Sequence, residues 1–374
     1  MLRKEAEVAK DFSITGTRDC VADFLTLPKT QISSYIDRIV IVLQENHTFD
    51  NYFGTYPNSD GITGKSICLP KTKNPVAQGD CVSPFHDTSL TPVDMNHNWK
   101  SAHSDYDGGK MDGFVYSEGN VETMGYYERA DINHYYNAAD NYVLCDRYFS
   151  SVMSESAPNH LFLVAGTAGE IIDDNVPVSL DFLPIFQQLD QKGISWKVYG
   201  FTKWYESFAY VQNDSSLKKN NFATARSFDS DLKSGRLPKV SWIIGAPGGD
   251  EHPPANIQTG ESSVANDIIN SVGSSQYWNS VAIFVTWDDY GGFYDHVVPP
   301  QIDQFGYGFR VACLAVSPYA KAGFIDSVVN DHTSILKFVE ETYGLSPLST
   351  RDGNANDLTE AFDFTKPPRI FTPI

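Results

Sequence analysis

The chain is punctuated by short apolar runs that stop abruptly at polar residues. Ile39 to Leu43 reads IVIVL without a polar interruption, and Gln44, Glu45 and Asn46 follow at once. A run so rich in β-branched residues suits a strand buried on both faces of a parallel sheet. Val281 to Trp287, VAIFVTW, repeats the pattern and ends in Asp288 and Asp289. Asn141–Asp146, Ile194–Gly200, Val240–Gly245 and Phe309–Ser317 are further strand candidates. Between them lie helical patterns: Phe182–Gln191 stopped by Gly193, Ser262–Val272, and Asp331–Tyr343 stopped by Gly344. In the last, Ile335, Leu336, Val339 and Tyr343 share a face. Strands alternating with helices predict an α/β fold around a parallel sheet. Residues 1–35 are weakly patterned and predict an irregular arm. Residues 55–91 predict a long excursion, and 345–374 a Pro-rich tail packed on the outside.

Ligands of open α/β sheets bind beyond the carboxyl ends of the strands. Glu45, Asn46, Asp288 and Asp289 would stand there, offering four oxygen ligands. One Glu-Asn pair alone is explained as well by a strand that ends at the surface. Two strands that both deliver acids are another matter, because unpaired carboxylates repel and favour a bound cation. Oxygen ligands suit a hard divalent ion.

Other residues are candidates for chemistry. Ser156 precedes Pro158 and the run HLFLVAGT, which places it near a helix N-terminus. Such a hydroxyl serves either as an N-cap or as a nucleophile facing an anion at the helix end. His97 and His103, six apart before Gly108 and Gly109, do not share a helical face, but either could reach a ligand from a loop. His252 follows the Val240 strand, beside two prolines that fix the backbone. His296 reads as a supporting residue and His332 as a helix-start residue at the crevice rim.

Charge narrows the partners. Over 374 residues, 28 Lys and Arg stand against 47 Asp and Glu, a net charge of -19. Phosphate backbones need basic surface, so nucleic acid is excluded as a tightly held partner, as is purely electrostatic docking on anionic membranes. A small phosphorylated substrate remains compatible, because one site can be positive on an acidic protein. No apolar run is long enough to span a bilayer, and the first residues lack an export signal's apolar core. Location therefore stays open between a mature exported form and the cytoplasm. Of five cysteines, Cys145 and Cys313 sit in apolar runs and predict buried thiols. Cys68 and Cys81 flank a Pro- and Gly-containing loop, where a disulfide suits an exported chain without being proved by spacing.

Seven stretches, in order, resemble the phosphoesterase family of bacterial phospholipases C and acid phosphatases, part of the alkaline phosphatase-like superfamily. They are ENHTFDNYFGT (45–55), HNWKSAHSDYDGGKMDGF (97–114), YFSSVMSESAPN (148–159), EHPP (251–254), WDDYGGFYDHVVPP (287–300), GFRVACLAVSPYAKAGF (308–324) and DHTSILKFVEETYGL (331–345). The resemblance implies a single α/β catalytic domain over 36–374, with helices on both faces of a mostly parallel central sheet. It implies a metal-dependent phosphoesterase, of acid phosphatase or phospholipase C type, working through a covalent phosphoserine. Glu45, Asn46, Ser156, Asp288 and Asp289 would hold one divalent ion (Ca²⁺, Mg²⁺, Mn²⁺ or Zn²⁺). Ser156 would be the nucleophile. His103 and His252 would assist catalysis, and with His97 and Asn46 would bind the phosphate. Asp289 departs from the family's frequent Glu, and SESAPN from its Gly-Pro-Thr form, so choosing Ser156 over Ser154 rests on the offset from Pro158-Asn159. A phosphocholine-type lipid head group is one candidate substrate, and Trp99, Tyr106, Tyr126, Tyr127 and Trp204 are aromatics that could box it. Packing accounts for each of them equally well. A non-catalytic surface-binding protein on the same fold is the reading from a different class.

Overall fold

The computed structural model describes residues 32–73, 80–245 and 249–374. All but the last four residues of the expected 1–35 arm lie outside them. An eight-stranded sheet organises the rest. Its strands in chain order are β1 (Arg38–Gln44), β2 (Val143–Cys145), β3 (Trp196–Gly200), β4 (Phe222–Ala223), β5 (Val240–Ile244), β6 (Val281–Trp287), β7 (Cys313–Val316) and β8 (Phe324–Asp326). The spatial order is β8-β2-β7-β6-β1-β5-β3-β4. All neighbours run parallel except β7, which is antiparallel to both β6 and β2. Every residue of β5 and β6, and all of β1 after Arg38, is buried, so the middle of the sheet is covered on both faces. That is why these strands read as unbroken apolar runs rather than alternating ones.

Five helices bear on the residues at the strand ends: α1 (Phe49–Phe53), α2 (Trp99–Tyr106), α3 (Ser156–Ala165), α4 (Ile257–Ser263) and α5 (His332–Tyr343). α5 carries the capping box of Asp331 and Ser334 and stops at Gly344 in the left-handed conformation, close to the expected bounds. Two helix expectations shift. Ser262–Val272 begins instead at Ile257, because Asn256 accepts from the backbone N–H of Gln258 and Thr259. It then runs on through a π-helical stretch, Val264–Asn270. Phe182–Gln191 starts only at Ile185, after Pro184. The 55–91 excursion holds two short strand pairings and the Cys68–Cys81 disulfide, while Cys145 and Cys313 are free and buried. The tail packs as expected: Trp278 Nε1 donates to Arg369 O at 2.7 Å and Tyr142 Oη to Thr372 O at 2.9 Å.

The expected strand Phe309–Ser317 is cut to Cys313–Val316 by Arg310. Arg310 is fully buried, and its guanidinium is saturated. Nε donates to both Asp295 oxygens at 3.1 and 3.2 Å, Nη2 to Asp50 Oδ1 at 3.0 Å, and Nη1 to the carbonyls of Asp60 and Asp146 at 2.8 Å each. His296 closes the group through Nδ1 to Asp50 Oδ2 at 2.6 Å, the supporting role expected of it. Removing one partner of such a buried pair leaves an uncompensated charge. Arg310→Ala should therefore lower the unfolding free energy by about 3–5 kcal/mol, read from urea denaturation. A loss under about 1 kcal/mol, the level of an exposed pair, would show that the network does not hold the fold.

Candidate active site

Register brings the strand ends level. Leu43 pairs with Ile244 on one side and Thr286 on the other, and Gln44 with Trp287. Glu45-Asn46 and Asp288-Asp289 therefore leave the sheet side by side, next to the segment that carries Asp250 to His252. Backbone bonds lock the edge: Asp288 N–H to Gln44 O at 2.9 Å, Glu45 N–H to Asp250 O at 2.8 Å, and Asn46 N–H to Asp288 Oδ1 at 3.1 Å. Asn46 takes a left-handed φ of 59° to turn into the crevice. Gly291, itself at φ 60°, lies so close that a Cβ there would fall 2.5 Å from Asn46 Cβ. Only glycine fits that position.

Ser156 is the first residue of α3, and Glu155, not Ser156, is its N-cap. The hydroxyl does no capping. Ser156 Oγ donates toward Glu45 Oε2 at 3.1 Å and lies 3.4 Å from Asp289 Oδ2. One turn on, His160 Nε2 sits 3.4 Å from both Glu45 Oε1 and Asp288 Oδ2. Asn46, His160, Asp288 and Asp289 are all fully buried. Their titration reflects that crowding. Burial and the Asp288 charge push Glu45 up, and the same two causes push Asp289 far above the carboxylate range. Burial works against the charge of Asp288 too, but His160 and Ser156 hold it below its ordinary value. Burial likewise opposes the imidazolium, yet Asp288 and Glu45 raise His160 to about 9.

Three buried polar atoms in this crevice have no hydrogen-bond partner: Asn46 Oδ1, Asp288 Oδ2 and His160 Nε2. Orphaned atoms of this kind are costly and call for an explanation. A cation in the crevice would satisfy all three at once, so the residues fit a divalent ion. The acid group Asp50, Asp295 and His296 differs, because Arg310 already supplies the positive charge there.

The histidines divide. Asn46 Nδ2 donates to His97 Nε2 at 3.2 Å, while His97 Nδ1 donates to Met95 O at 2.8 Å. The His252 ring stands 5.8 Å from that of His97, and its Nδ1 donates to Pro253 O at 2.7 Å. Burial lowers the basicity of His252, but the Pro253 carbonyl and the Glu45 charge more than restore it. His103 is held from within its own helix. It lies within α2, its Nδ1 bonded to Trp99 O at 2.7 Å and its ring 4.1 Å from the Trp99 indole. The helix formed because Asn98 caps it, and the i, i+4 spacing turns His103 back onto Trp99. His332 begins α5 as expected and donates from Nε2 to Asp288 O at 2.8 Å. Of the five aromatics considered for a head group, Trp204 meets the cluster, its ring 4.9 Å from that of His160. Tyr127 is fully buried and bonded to Ser89 O, a packing role.

Residues 36–346 match the Phosphoesterase family. The chain belongs to the phosphoesterase family, whose members hydrolyse phosphate esters. It is 30% identical over 413 residues to phospholipase C A of Mycobacterium tuberculosis, covering 90% of this chain and 79% of that protein. It is 30% identical to the non-hemolytic phospholipase C of Burkholderia pseudomallei, over 89% of this chain and 59% of that one. Among solved structures, murine ectonucleotide pyrophosphatase/phosphodiesterase 5 aligns over 87% of this chain and 100% of its own, with a TM-score of 0.49 and 9% identity. An alkaline phosphatase superfamily protein from Vibrio parahaemolyticus aligns with a TM-score of 0.45 and 9% identity, over 87% of this chain and 70% of that one.

Sequence reasoning passed over two residues of this phosphoesterase. His160 lay hidden in an apolar helical run; its one signal was the i, i+4 spacing from Ser156. Glu251, read only as the residue before His252, is a buried hub. Its carboxylate accepts from Tyr52 Oη at 2.8 Å, Trp287 Nε1 at 3.0 Å, Gln44 Nε2 at 3.1 Å and Tyr135 Oη. It thereby ties the ends of β1 and β6 to the backbone that presents His252. A Cβ on Gly260 of α4 would fall 2.3 Å from Glu251 Cγ, so the helix can approach only as glycine. Burial raises the Glu251 carboxyl to about 7 against the four donors that lower it. A carboxyl with a raised folded pKa adds stability in full below its ordinary value of 4.5 and loses it as pH climbs through about 7. The unfolding free energy of the wild type should thus decline between pH 5 and 8, and Glu251→Gln should flatten that slope; equal slopes for the two proteins would refute the assignment.

Proposed function

We propose that this phosphoesterase hydrolyses phosphate esters by in-line transfer to Ser156, with one divalent ion held by Glu45, Asn46, Ser156, Asp288 and Asp289. The observation that carries the reading is the Ser156 hydroxyl, freed from capping and turned into a buried acid cluster with unsatisfied ligand atoms. When bound, the ion lowers the pKa of a coordinated hydroxyl and neutralises phosphate charge. Ser156 Oγ passes its proton to Glu45 Oε2, to which it is hydrogen-bonded, and attacks phosphorus; the new Oγ–P bond forms as the ester P–O bond breaks, and the alcohol leaves opposite. His252 Nε2, oriented by the Nδ1 bond to Pro253 O, protonates the departing alkoxide. His97, held by Asn46 and Met95, positions the phosphate, a role for which the sequence offered His97, His103, His252 and Asn46 together. Water then gives a proton to His252 and its oxygen bonds to phosphorus as the Oγ–P bond breaks; Oγ recovers its proton from Glu45 and the phosphate product leaves.

The phospholipase C names of relatives matched over about nine-tenths of this chain favour a phosphodiester, with diacylglycerol as the leaving alcohol and the head group kept on the transferred phosphorus. Its contact with His160 supports Trp204 as the aromatic that would meet a choline group by cation–π contact.

Ser156→Ala should lower turnover of p-nitrophenyl phosphate and p-nitrophenylphosphorylcholine by roughly a thousandfold or more, and acid quenching of the wild type should trap phosphate on Ser156. Near-normal turnover by a folded Ser156→Ala protein would end the covalent scheme. The ratio of the two substrates' kcat/KM decides between diester and monoester. Removing divalent ions with a chelator should abolish both activities, and adding an ion back should restore them.

A further inference from the structure

Resting on the metal reading above, we propose that His160 is a direct nitrogen ligand of the cation and makes the site selective for a first-row transition ion over Mg²⁺ and Ca²⁺. None of the seven stretches that carry the family resemblance includes His160; it enters through geometry alone.

His160 Nε2 is equidistant, at 3.4 Å, from Glu45 Oε1 and Asp288 Oδ2. A charge-assisted hydrogen bond from an imidazolium would draw one oxygen in to about 2.7–2.9 Å. Donor atoms that share one ion at about 2.1 Å stand about 3.0–3.4 Å apart, the edge of an octahedron or a tetrahedron. His160 stands at the second spacing from both Glu45 and Asp288, and the ligand atoms of all three lie within 4.8 Å of one another. Both His160 Nε2 and Asp288 Oδ2 lack any hydrogen-bond partner, as does Asn46 Oδ1.

The other face of the ring is already arranged for a ligand. His160 Nδ1 lies 2.9 Å from the hydroxyl of Tyr205, which is itself fully buried. With the proton on Nδ1 donated to that hydroxyl, the Nε2 lone pair points at the acids. Metal-bound histidines are oriented by an outer partner of this kind. α3 contributes both Ser156 and His160 on one face, one turn apart, so a rigid element sets their separation. The Trp204 ring packs against His160 in a T-shaped contact at 4.9 Å, and the imidazole is fully buried. Carboxylate and amide oxygens alone would suit Mg²⁺ or Ca²⁺, whereas an imidazole nitrogen shifts preference toward Mn²⁺, Fe²⁺, Co²⁺ or Zn²⁺.

The test uses the full chain, stripped with chelator and reloaded. Mn²⁺-loaded wild type is examined by electron spin-echo envelope modulation, and Zn²⁺ and Mg²⁺ affinities are measured by calorimetry. The expected result is an imidazole nitrogen signal that persists in His97→Gln and His252→Gln and vanishes in His160→Gln. Zn²⁺ affinity should fall 10–100-fold in His160→Gln, with Mg²⁺ affinity changed less than about threefold, and about tenfold for Zn²⁺ in Tyr205→Phe. Because persistence in the other two variants assigns the signal by elimination, a misfolded His160→Gln protein would not protect the proposal. A wild type that binds Mn²⁺ without a nitrogen signal would overturn the ligand and leave the oxygen site standing. A signal retained in His160→Gln would do the same. A wild type that takes up no divalent ion would overturn the metal reading itself.

Discussion

Like charges held together in a dry crevice are the constraint on which the site depends. Glu45, Asp288 and Asp289 come from two strand ends that the sheet register forces side by side, with both aspartates fully buried and Glu45 largely so. Buried carboxylates that close either give up charge to a proton or gather a cation. The perturbed titration of all three, the orphaned Asn46 and His160 atoms, and the turned-in Ser156 hydroxyl all follow from that crowding.

A second acid group in the same fold shows the other solution. Asp50, Asp295 and His296 are gathered as closely, but both carboxylates accept from the Arg310 guanidinium, whose remaining donors meet the backbone carbonyls of Asp60 and Asp146. There the positive charge is part of the chain, and the result is structural. Among the described residues of the Ser156 crevice, the side chains that can carry positive charge are histidines, which can also bind as neutral ligands. The contrast separates a site from a staple without reference to what relatives do.

Glu251 links scaffold and chemistry. Its four donors come from β1, α1, the Tyr135 helix and β6, so the strand ends and the His252 backbone move as one body. The left-handed φ of 70° at Glu251 is retained because these bonds over-determine it. Precision at the reacting atoms is thus supplied from behind them, by a carboxylate that touches no substrate.

The sequence by itself determined the sheet's centre and its acid rim. A strand covered on both faces must be apolar at every position, and the change to polar residues at Gln44 and Asp288 is unmistakable for the same reason. Buried Cys145 and Cys313, the α5 helix and its Gly344 stop, and the Ser156 position were legible on similar local grounds. What only tertiary structure decided is which distant side chains meet. His97 and His103 look interchangeable along the chain; the Asn98 cap turns the second onto Trp99 and leaves the first on Asn46. His160 hides in an apolar helix, and Arg310 interrupts a run that otherwise reads as strand, because both pair with acids more than a hundred residues away. Local pattern records burial and backbone preference. Charge pairing across the fold leaves no periodic trace.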